Sequence, residues 1–210
     1  FDIDNTLYPQ TTGLGLEINR LMSEFVASFL DLSVEAASPL RRESVRKYGT
    51  TLTWLREEHG FTDVERYLEA VHPADLSPWI TEEHAAETRA VFDEIDIPAA
   101  ILTNGPREHA KRVLDRLGIA DRFERMFDFR SNGFVGKPAR EVYTRALEAL
   151  SIRAETTLFV DDVVQYLLPF RDLGGNVVHL SMEAPSAAEI PTIASLRDLL
   201  PIIYPDRSRG

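Results

Sequence analysis

The stretch Ala99-Ala-Ile-Leu-Thr-Asn-Gly-Pro106 joins a short apolar run to a polar turn. An apolar run bounded by turn residues is typical of a buried strand. Residues 107–117 follow with apolar side chains at helical spacing, and Gly118 ends that pattern. The alternation recurs as helix, strand, helix and strand over residues 139–150, 157–160, 163–173 and 176–180. Strands that alternate with helices predict an α/β fold with a Rossmann-like, parallel sheet core.

Residues 13–80 show a different pattern, with helical spacing and few strand signals. Five apolar residues share one face of the first predicted helix: Leu14, Ile18, Leu21, Phe25 and Phe29. Further helices are predicted over residues 34–48, 51–58 and 64–71. Thr81, followed by two glutamates, is typical of the start of a helix that returns to the sheet. The sequence therefore predicts an inserted all-α domain of residues 13–80 and a core domain of residues 1–12 and 81–210.

Composition limits the possible partners. The 210-residue chain carries a formal net charge of −11, which disfavours binding to a nucleic acid polymer or an anionic membrane. No stretch has the unbroken apolar length of a membrane helix. The chain has no cysteine, which excludes disulfides and thiolate metal sites and favours a cytoplasmic location. The oligomeric state stays open, and we expect a few apolar residues upstream of Phe1, where the sequence opens on the end of a strand.

Polar residues follow the predicted strands at the edge where parallel sheets bind ligands. They are Asp2, Asp4 and Thr6, then Thr103 and Asn104, then Asp161 and Asp162, with Lys137 at a helix start. Converging carboxylates repel each other unless a hard cation lies among them, and an all-oxygen set suits Mg²⁺. One lysine and several backbone amides would complete a site that neutralises a phosphoryl group. The residues thus predict magnesium-dependent phosphoryl transfer.

Four segments carry a more specific pattern. They are Phe1-Asp-Ile-Asp-Asn-Thr-Leu-Tyr8, Leu102-Thr-Asn-Gly105, Gly136-Lys-Pro138 and Phe159-Val-Asp-Asp162. In this order they resemble the four motifs of the haloacid dehalogenase (HAD) superfamily, and together they span the chain. The resemblance implies the HAD fold, with the helical insertion as a C1-type cap over the active site. It also implies a hydrolase of small phosphorylated substrates.

The resemblance implies a role for each matching residue. Asp2 would be the nucleophile that forms an aspartyl-phosphate, and Asp4 the general acid and base. Thr103, Asn104 and Lys137 would hold the phosphoryl oxygens, and Lys137 would also screen Asp2 from its acidic neighbours. Asp4 argues against the dehalogenases of the superfamily, which lack this second aspartate because a halide leaving group needs no proton.

The same resemblance implies a Mg²⁺ site. The ligands would be the carboxylate of Asp2, the backbone carbonyl of Asp4 and the carboxylate of Asp162, with Asp161 bound directly or through water. One departure concerns this site: Tyr166 stands where many relatives have an asparagine or aspartate. A second departure is Pro169, which predicts a kink or break in the helix after the fourth motif.

The second, third and fourth motifs each have a simpler interpretation when taken alone. Asp161 and Asp162 could cap the following helix, Thr103-Asn104 could form an ordinary turn, and Lys137 could be a solvated lysine. A catalytically quiet HAD-like module that binds a phosphorylated ligand or a protein is an alternative to an enzyme, and Tyr166 favours it.

Other segments bear on the substrate. Tyr48-Gly-Thr-Thr-Leu52 and Thr103-Asn-Gly-Pro-Arg-Glu-His109, together with the first motif, resemble the pyrimidine 5′-nucleotidase branch of the superfamily. That resemblance implies a pyrimidine nucleoside monophosphate as substrate. Phosphoglycolate and sugar phosphates are the alternatives.

Several charged and aromatic residues have two interpretations. Tyr8 could line the substrate pocket or pack under the cap. Arg107 and His109 are interpreted as a solvated first helical turn, in preference to a ligand contact. Four basic residues are interpreted as a solvated helix face: Arg41, Arg42, Arg46 and Lys47. His59 is interpreted as part of a helix end, and residues 184–188 form a Pro/Ala/Ser-rich stretch.

Overall fold

The computed structural model describes residues 1–182 and 189–206, so the Pro/Ala/Ser-rich stretch 184–188 lies outside the described residues. The first part of the chain is helical. Its helices are α1 (Leu14–Leu30), α2 (Val34–Tyr48), α3 (Thr51–His59), α4 (Val64–Val71) and α5 (Glu82–Phe92). The bounds of α2 and α4 are those that the sequence predicts, and His59 ends α3 as expected. Ser33, Thr50, Asp63 and Thr81 each cap a helix by accepting a hydrogen bond from its first turn.

Strands and helices alternate in the second part. They are β1 (Ala100–Leu102), α6 (Arg107–Leu117), β2 (Arg125–Phe127), α7 (Arg140–Leu150), β3 (Leu158–Asp161), α8 (Val164–Arg171), β4 (Asn176–Leu180), β5 (Thr192–Ile193) and α9 (Leu200–Ile203). Strands β2 and β5 are additions to the predicted elements. Of the kink or break predicted at Pro169, the break is wrong, because α8 continues through this residue to Arg171, and the kink stays a prediction.

The strands form one parallel layer with Phe1 and Asp2 at its centre. Strand β1 pairs with β2, and β3 pairs with β4, which in turn pairs with β5, all in parallel. Asp2 N donates to Val160 O at 2.9 Å, while Leu102 N donates to Phe1 O at 2.9 Å. The order is therefore β2-β1-(1–2)-β3-β4-β5, and the predicted α/β class is confirmed.

Apolar packing distinguishes the helical segment from the sheet. The helical segment packs around a separate cluster, which includes Val26 of α1, Trp54 of α3 and Val71 of α4, and which Phe129 joins from the second part of the chain. The first turns of α1 pack instead against the sheet, where Leu14 contacts the cluster around Ile101. The division into a core and an inserted cap, with bounds at residues 13 and 80, stays a prediction. Among the described residues, no helix has the length and apolar character needed to cross a membrane.

Arg41 is buried, so the interpretation of this residue as solvated is wrong. Its guanidinium donates to Ser23 Oγ at 3.2 Å, Thr51 Oγ1 at 3.2 Å and Asn19 Oδ1 at 2.9 Å. Three neutral oxygens on neighbouring helices satisfy the charge, and no helical spacing reveals such partners. Arg42 and the other two basic residues of α2 named above are exposed, as predicted.

Gly175→Ala should lower the free energy of unfolding by about 1–3 kcal/mol, the usual range for overpacking a core. A Cβ at this position would lie 2.2 Å from Phe170 Cε1, and Phe170 is buried. Denaturant unfolding measures the effect. Gly105→Ala is the matched control, because its Cβ would meet no atom closer than 3.4 Å. Equal losses in both variants would contradict this packing.

Candidate active site

A tight turn after the first residues of the sheet places Asp2 and Asp4. Thr6 N and Leu7 N both donate to Ile3 O, at 3.1 Å and 2.9 Å. Asn5 has a φ of 59°, a left-handed conformation that asparagine tolerates better than most residues. The turn therefore places Asp2 within the sheet and Asp4 beyond its edge.

Lys137 joins three segments of the chain. Its Nζ donates to Asp2 Oδ1 and to Asp161 Oδ2, at 2.6 Å each. The lysine side chain is only 1% exposed, so the ion pairs are shielded from water. Asn104 holds the lysine backbone, because its Oδ1 accepts from Lys137 N at 2.6 Å and its Nδ2 donates to Lys137 O at 3.0 Å. The solvated alternative for Lys137 is wrong.

The charge of Lys137 is stabilised by this environment. Burial alone would lower its pKa, but the two carboxylates outweigh burial and raise the pKa well above the usual lysine value. The Nζ atom also lies 5.3 Å from the ring centroid of Phe159 and 5.2 Å from that of Tyr166. Tyr166, which stands where the resemblance places an asparagine or aspartate in many relatives, thus presents an aromatic face to the lysine.

Carboxylate oxygens of Asp2, Asp161 and Asp162 lie within 4.8 Å of one another. Burial, opposed by Lys137 and reinforced by neighbouring carboxylates, raises the pKa of Asp2 to about 7. Burial and the charges of Asp2 and Asp161 raise the pKa of Asp162 to about 8. One lysine therefore leaves this cluster with unbalanced negative charge, and a small divalent cation with oxygen ligands fits it.

Neighbouring residues fix the acidic pair after β3. Asp161 Oδ1 accepts from Val163 N at 2.8 Å, but among the described residues no side chain caps α8, so the helix-cap interpretation of Asp161 and Asp162 is wrong. Asn5 Nδ2 donates to Asp162 Oδ2 at 3.2 Å. His179 Nε2 lies 3.0 Å from Asp162 O, as the donor to that carbonyl. Sequence reasoning missed His179, since its position at the end of a short strand gives no sign of this contact.

Asp4 has two buried neighbours. Tyr8 Oη donates to Asp4 Oδ1 at 2.6 Å, and His109 Nε2 lies 2.7 Å from the same oxygen, as a second donor. His109 is fully buried, so its interpretation as solvated is wrong, whereas Arg107 is exposed as predicted. Burial opposes ionisation of Asp4, but His109 and Tyr8 outweigh it and hold the pKa of Asp4 well below its usual range.

Thr103 and Thr6 complete the rim, which is the edge of the sheet that carries Asp2, Asp4, Lys137, Asp161 and Asp162. Thr103 is buried, and its Oγ1 accepts from Gly105 N at 3.0 Å, which is the turn contact expected of the simpler interpretation. Its hydroxyl proton remains available to an oxygen of a ligand. Thr6 Oγ1 donates to Asp2 Oδ2 at 3.4 Å. The structure thus brings together all the candidate residues that the sequence places at the ends of strands.

A cleft of about 730 Å³ lies between the segment 46–62 of the helical insertion and the segment 133–139. Lys137 is common to the cleft wall and the site, whereas Asp2, Asp4 and Asp162 do not line the cleft. The wall carries aromatic, hydroxyl and basic side chains, among them Tyr48, Thr50, Phe134, Arg46, Lys47 and Arg56. A second, smaller cavity of about 180 Å³ is lined by Asp162 and His179.

Comparison with known proteins assigns the family. The sequence model of haloacid dehalogenase-like hydrolases matches residues 1–170, and the chain belongs to this family. A HAD phosphatase from Thermococcus onnurineus has a similar fold, with a TM-score of 0.64, 16% identity, and coverage of 97% of this chain and 96% of that protein. L-2-haloacid dehalogenase from Xanthobacter autotrophicus gives a TM-score of 0.61 at 16% identity, over 100% and 98% of the two chains. The predicted HAD fold is confirmed.

Two named proteins are similar in sequence. Phosphate metabolism protein 8 of Saccharomyces cerevisiae is 26% identical over 197 residues, which cover 86% of this chain and 60% of the yeast protein. Validoxylamine A 7′-phosphate phosphatase of Streptomyces hygroscopicus subsp. limoneus is 24% identical over 131 residues, or 62% and 61% of the two proteins. The chain spans about three fifths of the length of these relatives.

Magnesium should raise the melting temperature more at about pH 8.5 than at about pH 6. The pKa values of Asp2 and Asp162 are raised above those of the unfolded chain. Their contribution to stability is therefore present at low pH and is lost as the pH rises through about 7 and about 8. Because Mg²⁺ binds the ionised carboxylates, protons compete with it at the lower pH. Thermal unfolding with and without magnesium chloride measures the difference.

Two variants control that measurement. Asp162→Asn removes a charged oxygen from the cluster and should abolish most of the magnesium effect. Asp121→Asn changes an exposed aspartate and should leave the effect intact. An equal rise in melting temperature at both pH values, or the same rise in Asp162→Asn as in the unchanged protein, would contradict the assignment of this metal site.

Proposed function

We propose that this hydrolase cleaves a small phosphate monoester through an aspartyl-phosphate at Asp2, with Mg²⁺ as cofactor. The observation that carries the proposal is the buried Lys137 bridge between Asp2 and Asp161, close to Asp162 and on the same rim as Asp4. This arrangement places a carboxylate that can attack phosphorus beside an ammonium group. The positive charge of the ammonium can neutralise the phosphoryl oxygens during transfer. The same constellation, with all four acids and the lysine present, counts against the catalytically quiet alternative.

The proposed reaction has two steps. A carboxylate oxygen of Asp2 attacks phosphorus while the bond to the leaving oxygen breaks, and Asp4 gives its proton to that oxygen. Water then attacks phosphorus, Asp4 takes a proton from the water, and the bond to Asp2 breaks to release phosphate. Lys137, Thr103 and the Asn104 amide would hold the phosphoryl oxygens. Mg²⁺, held by Asp2, the Asp4 carbonyl and Asp162, with Asp161 nearby, would neutralise phosphoryl charge when bound.

Asp4 must carry a proton before the leaving group departs. Without substrate, its pKa is well below the usual range because His109 and Tyr8 stabilise its charge. An incoming phosphoryl dianion acts in the opposite direction, since a neighbouring negative charge raises the pKa of a carboxyl group. Substrate binding would therefore favour the protonated form that the first step needs.

Asp2→Asn should abolish release of phosphate from p-nitrophenyl phosphate, because an amide cannot replace the attacking carboxylate. Phosphate release by the unchanged chain should require added Mg²⁺ and cease with a chelator. Asp121→Asn is the control for loss of a carboxylate outside the site. Full activity of Asp2→Asn, or no activity of the unchanged chain on any phosphate monoester tested, would refute the proposed function.

For the substrate, we propose a pyrimidine nucleoside monophosphate. The cleft of about 730 Å³ is within the usual size range of small-molecule sites and offers Tyr48 and Phe134 to a base. Arg56 already lies 5.5 Å from the ring centroid of Phe134. Phosphoglycolate would leave most of this space unfilled. A sugar phosphate is the second candidate, and the name of the Streptomyces relative, a validoxylamine A 7′-phosphate phosphatase, supports it.

Lys137 belongs both to the catalytic site and to the wall of the cleft, next to Gly136. A Cβ at Gly136 would lie 2.8 Å from Asn104 Oδ1 and 3.2 Å from Thr50 Cγ2, so the insertion packs closely over the loop that carries Lys137. Because Lys137 is common to both, we infer that a phosphoryl group beside Lys137 extends its leaving group toward the cleft. The proposed partner is a small phosphorylated molecule rather than a nucleic acid polymer, and a cytoplasmic location stays a prediction.

Arg56→Ala combined with Lys47→Ala should reduce kcat/KM for uridine monophosphate by at least about 10-fold, with at most about a 3-fold change for p-nitrophenyl phosphate. Both residues line the cleft, so they act on the leaving group and not on phosphorus. Steady-state kinetics with both esters measures the separation. Arg42→Ala, on the exposed face of α2, is the control. Parallel losses for both esters would show that the cleft does not select the leaving group.

A further inference from the structure

We propose that His109 and Tyr8 are positioning residues for Asp4, which hold one carboxylate oxygen so that the other alone exchanges protons with substrate and water. This inference rests on the proposed function, because it assigns the orientation of the proposed acid and base. The relevant group is the Asp4 side chain, which is 28% exposed between two neighbours that are almost completely buried.

The two oxygens of Asp4 are not equivalent. Tyr8 Oη and His109 Nε2 both reach Oδ1, at 2.6 Å and 2.7 Å. Within residues 1–182 and 189–206, no hydrogen bond to Asp4 Oδ2 is present. Two donors on one oxygen fix the rotation of the carboxylate about its terminal bond. Without such donors, the torsion angle about this bond has a broad and nearly two-fold distribution. Oδ2 is therefore the oxygen left to face a ligand.

His109 itself is held rigidly. It lies in the first turn of α6, which begins directly after the loop that carries Thr103 and Asn104. Its ring packs against that of His72, with centroids 4.6 Å apart. The Nδ1 atom of His72 lies 2.7 Å from Leu68 O, which fixes the second ring in turn. This stack restrains the imidazole that contacts Asp4.

A purely structural role does not account for His109. Its Nδ1 is buried and has no hydrogen-bond partner among the described residues. A buried polar atom without a partner destabilises a protein, so an apolar residue would serve packing better at this position. The contact that offsets this cost is the one to Asp4. Tyr8 likewise buries its whole ring while its hydroxyl reaches Asp4.

Alignment of an acid affects some substrates more than others. A good leaving group departs with little protonation, whereas a poor one needs the proton during bond cleavage. Misplacement of a reacting group by about 1 Å can reduce the rate by about 100-fold. Loss of the hydrogen bonds from Tyr8 and His109 to Asp4 should therefore selectively impair the hydrolysis of esters with poor leaving groups. Loss of packing alone would lower the amount of folded enzyme and affect all esters equally.

The test compares kcat/KM for phenyl phosphate and p-nitrophenyl phosphate in His109→Leu and Tyr8→Phe. These two esters differ in the acidity of the phenol released and are otherwise alike in shape. We expect losses of about 10–100-fold for phenyl phosphate and at most about 3-fold for p-nitrophenyl phosphate. His109→Gln retains an N–H donor near the position of Nε2 and should restore most of the phenyl phosphate activity. Tyr8→Phe removes only a hydroxyl, so it provides the test even if His109→Leu fails to fold.

Tyr67→Phe is the matched control, because Tyr67 is also buried but packs in the helical cluster around Phe25 and Phe61 and makes no hydrogen bond to Asp4. Its ratio of the two kcat/KM values should equal that of the unchanged chain. Equal losses for both esters in Tyr8→Phe, or no loss in either, would overturn the positioning role alone. Absence of phosphate release from both esters by the unchanged chain and by Tyr67→Phe would instead refute the proposed function.

Discussion

The ion pairs of Lys137 with Asp2 and Asp161 are the interaction on which the arrangement of the site depends. They connect the first residues of the sheet, the loop before α7 and the end of β3, with both N–O distances at 2.6 Å. In a buried environment, removal of the lysine would leave two carboxylates without a counter-charge. The backbone of Lys137 is held in turn by Asn104, which follows β1. One ammonium group thus aligns segments that are more than a hundred residues apart.

Charge balance explains the different environments of the acidic residues. Lys137 compensates Asp2 and Asp161, whereas the nearest described side-chain donor to Asp162 is the neutral amide of Asn5. The cluster of three carboxylates therefore retains negative charge that suits a divalent cation. Asp4 lies apart from this cluster and depends on His109 and Tyr8 instead. The pKa of Asp2 is raised and that of Asp4 is lowered, so the proposed roles require bound Mg²⁺ to favour the ionised form of Asp2 and the phosphoryl group to favour the protonated form of Asp4.

The sequence predicted the features that depend on local periodicity and on ordered motifs, and it missed contacts between distant residues. Most strands and helices between residues 99 and 180 carry strong patterns, whereas the strand Arg125–Phe127 begins with an exposed arginine and is not a continuous apolar run. Arg41 and His109 were assigned to solvent because charged or polar residues usually lie there. His109 is buried against Asp4, and no local pattern reveals this contact because the two residues are 105 positions apart along the chain. The aromatic face of Tyr166 beside Lys137 likewise required coordinates.

Chemical trapping of the covalent intermediate tests the central claim most directly. The chain would be mixed with p-nitrophenyl phosphate and Mg²⁺, quenched during turnover and reduced with borohydride, which converts an acyl-phosphate to an alcohol. Peptide mass spectrometry should then find homoserine in place of aspartate at position 2, only in the presence of substrate, and none in Asp2→Asn. Reduction at another carboxylate, or turnover with an unmodified Asp2, would contradict the account.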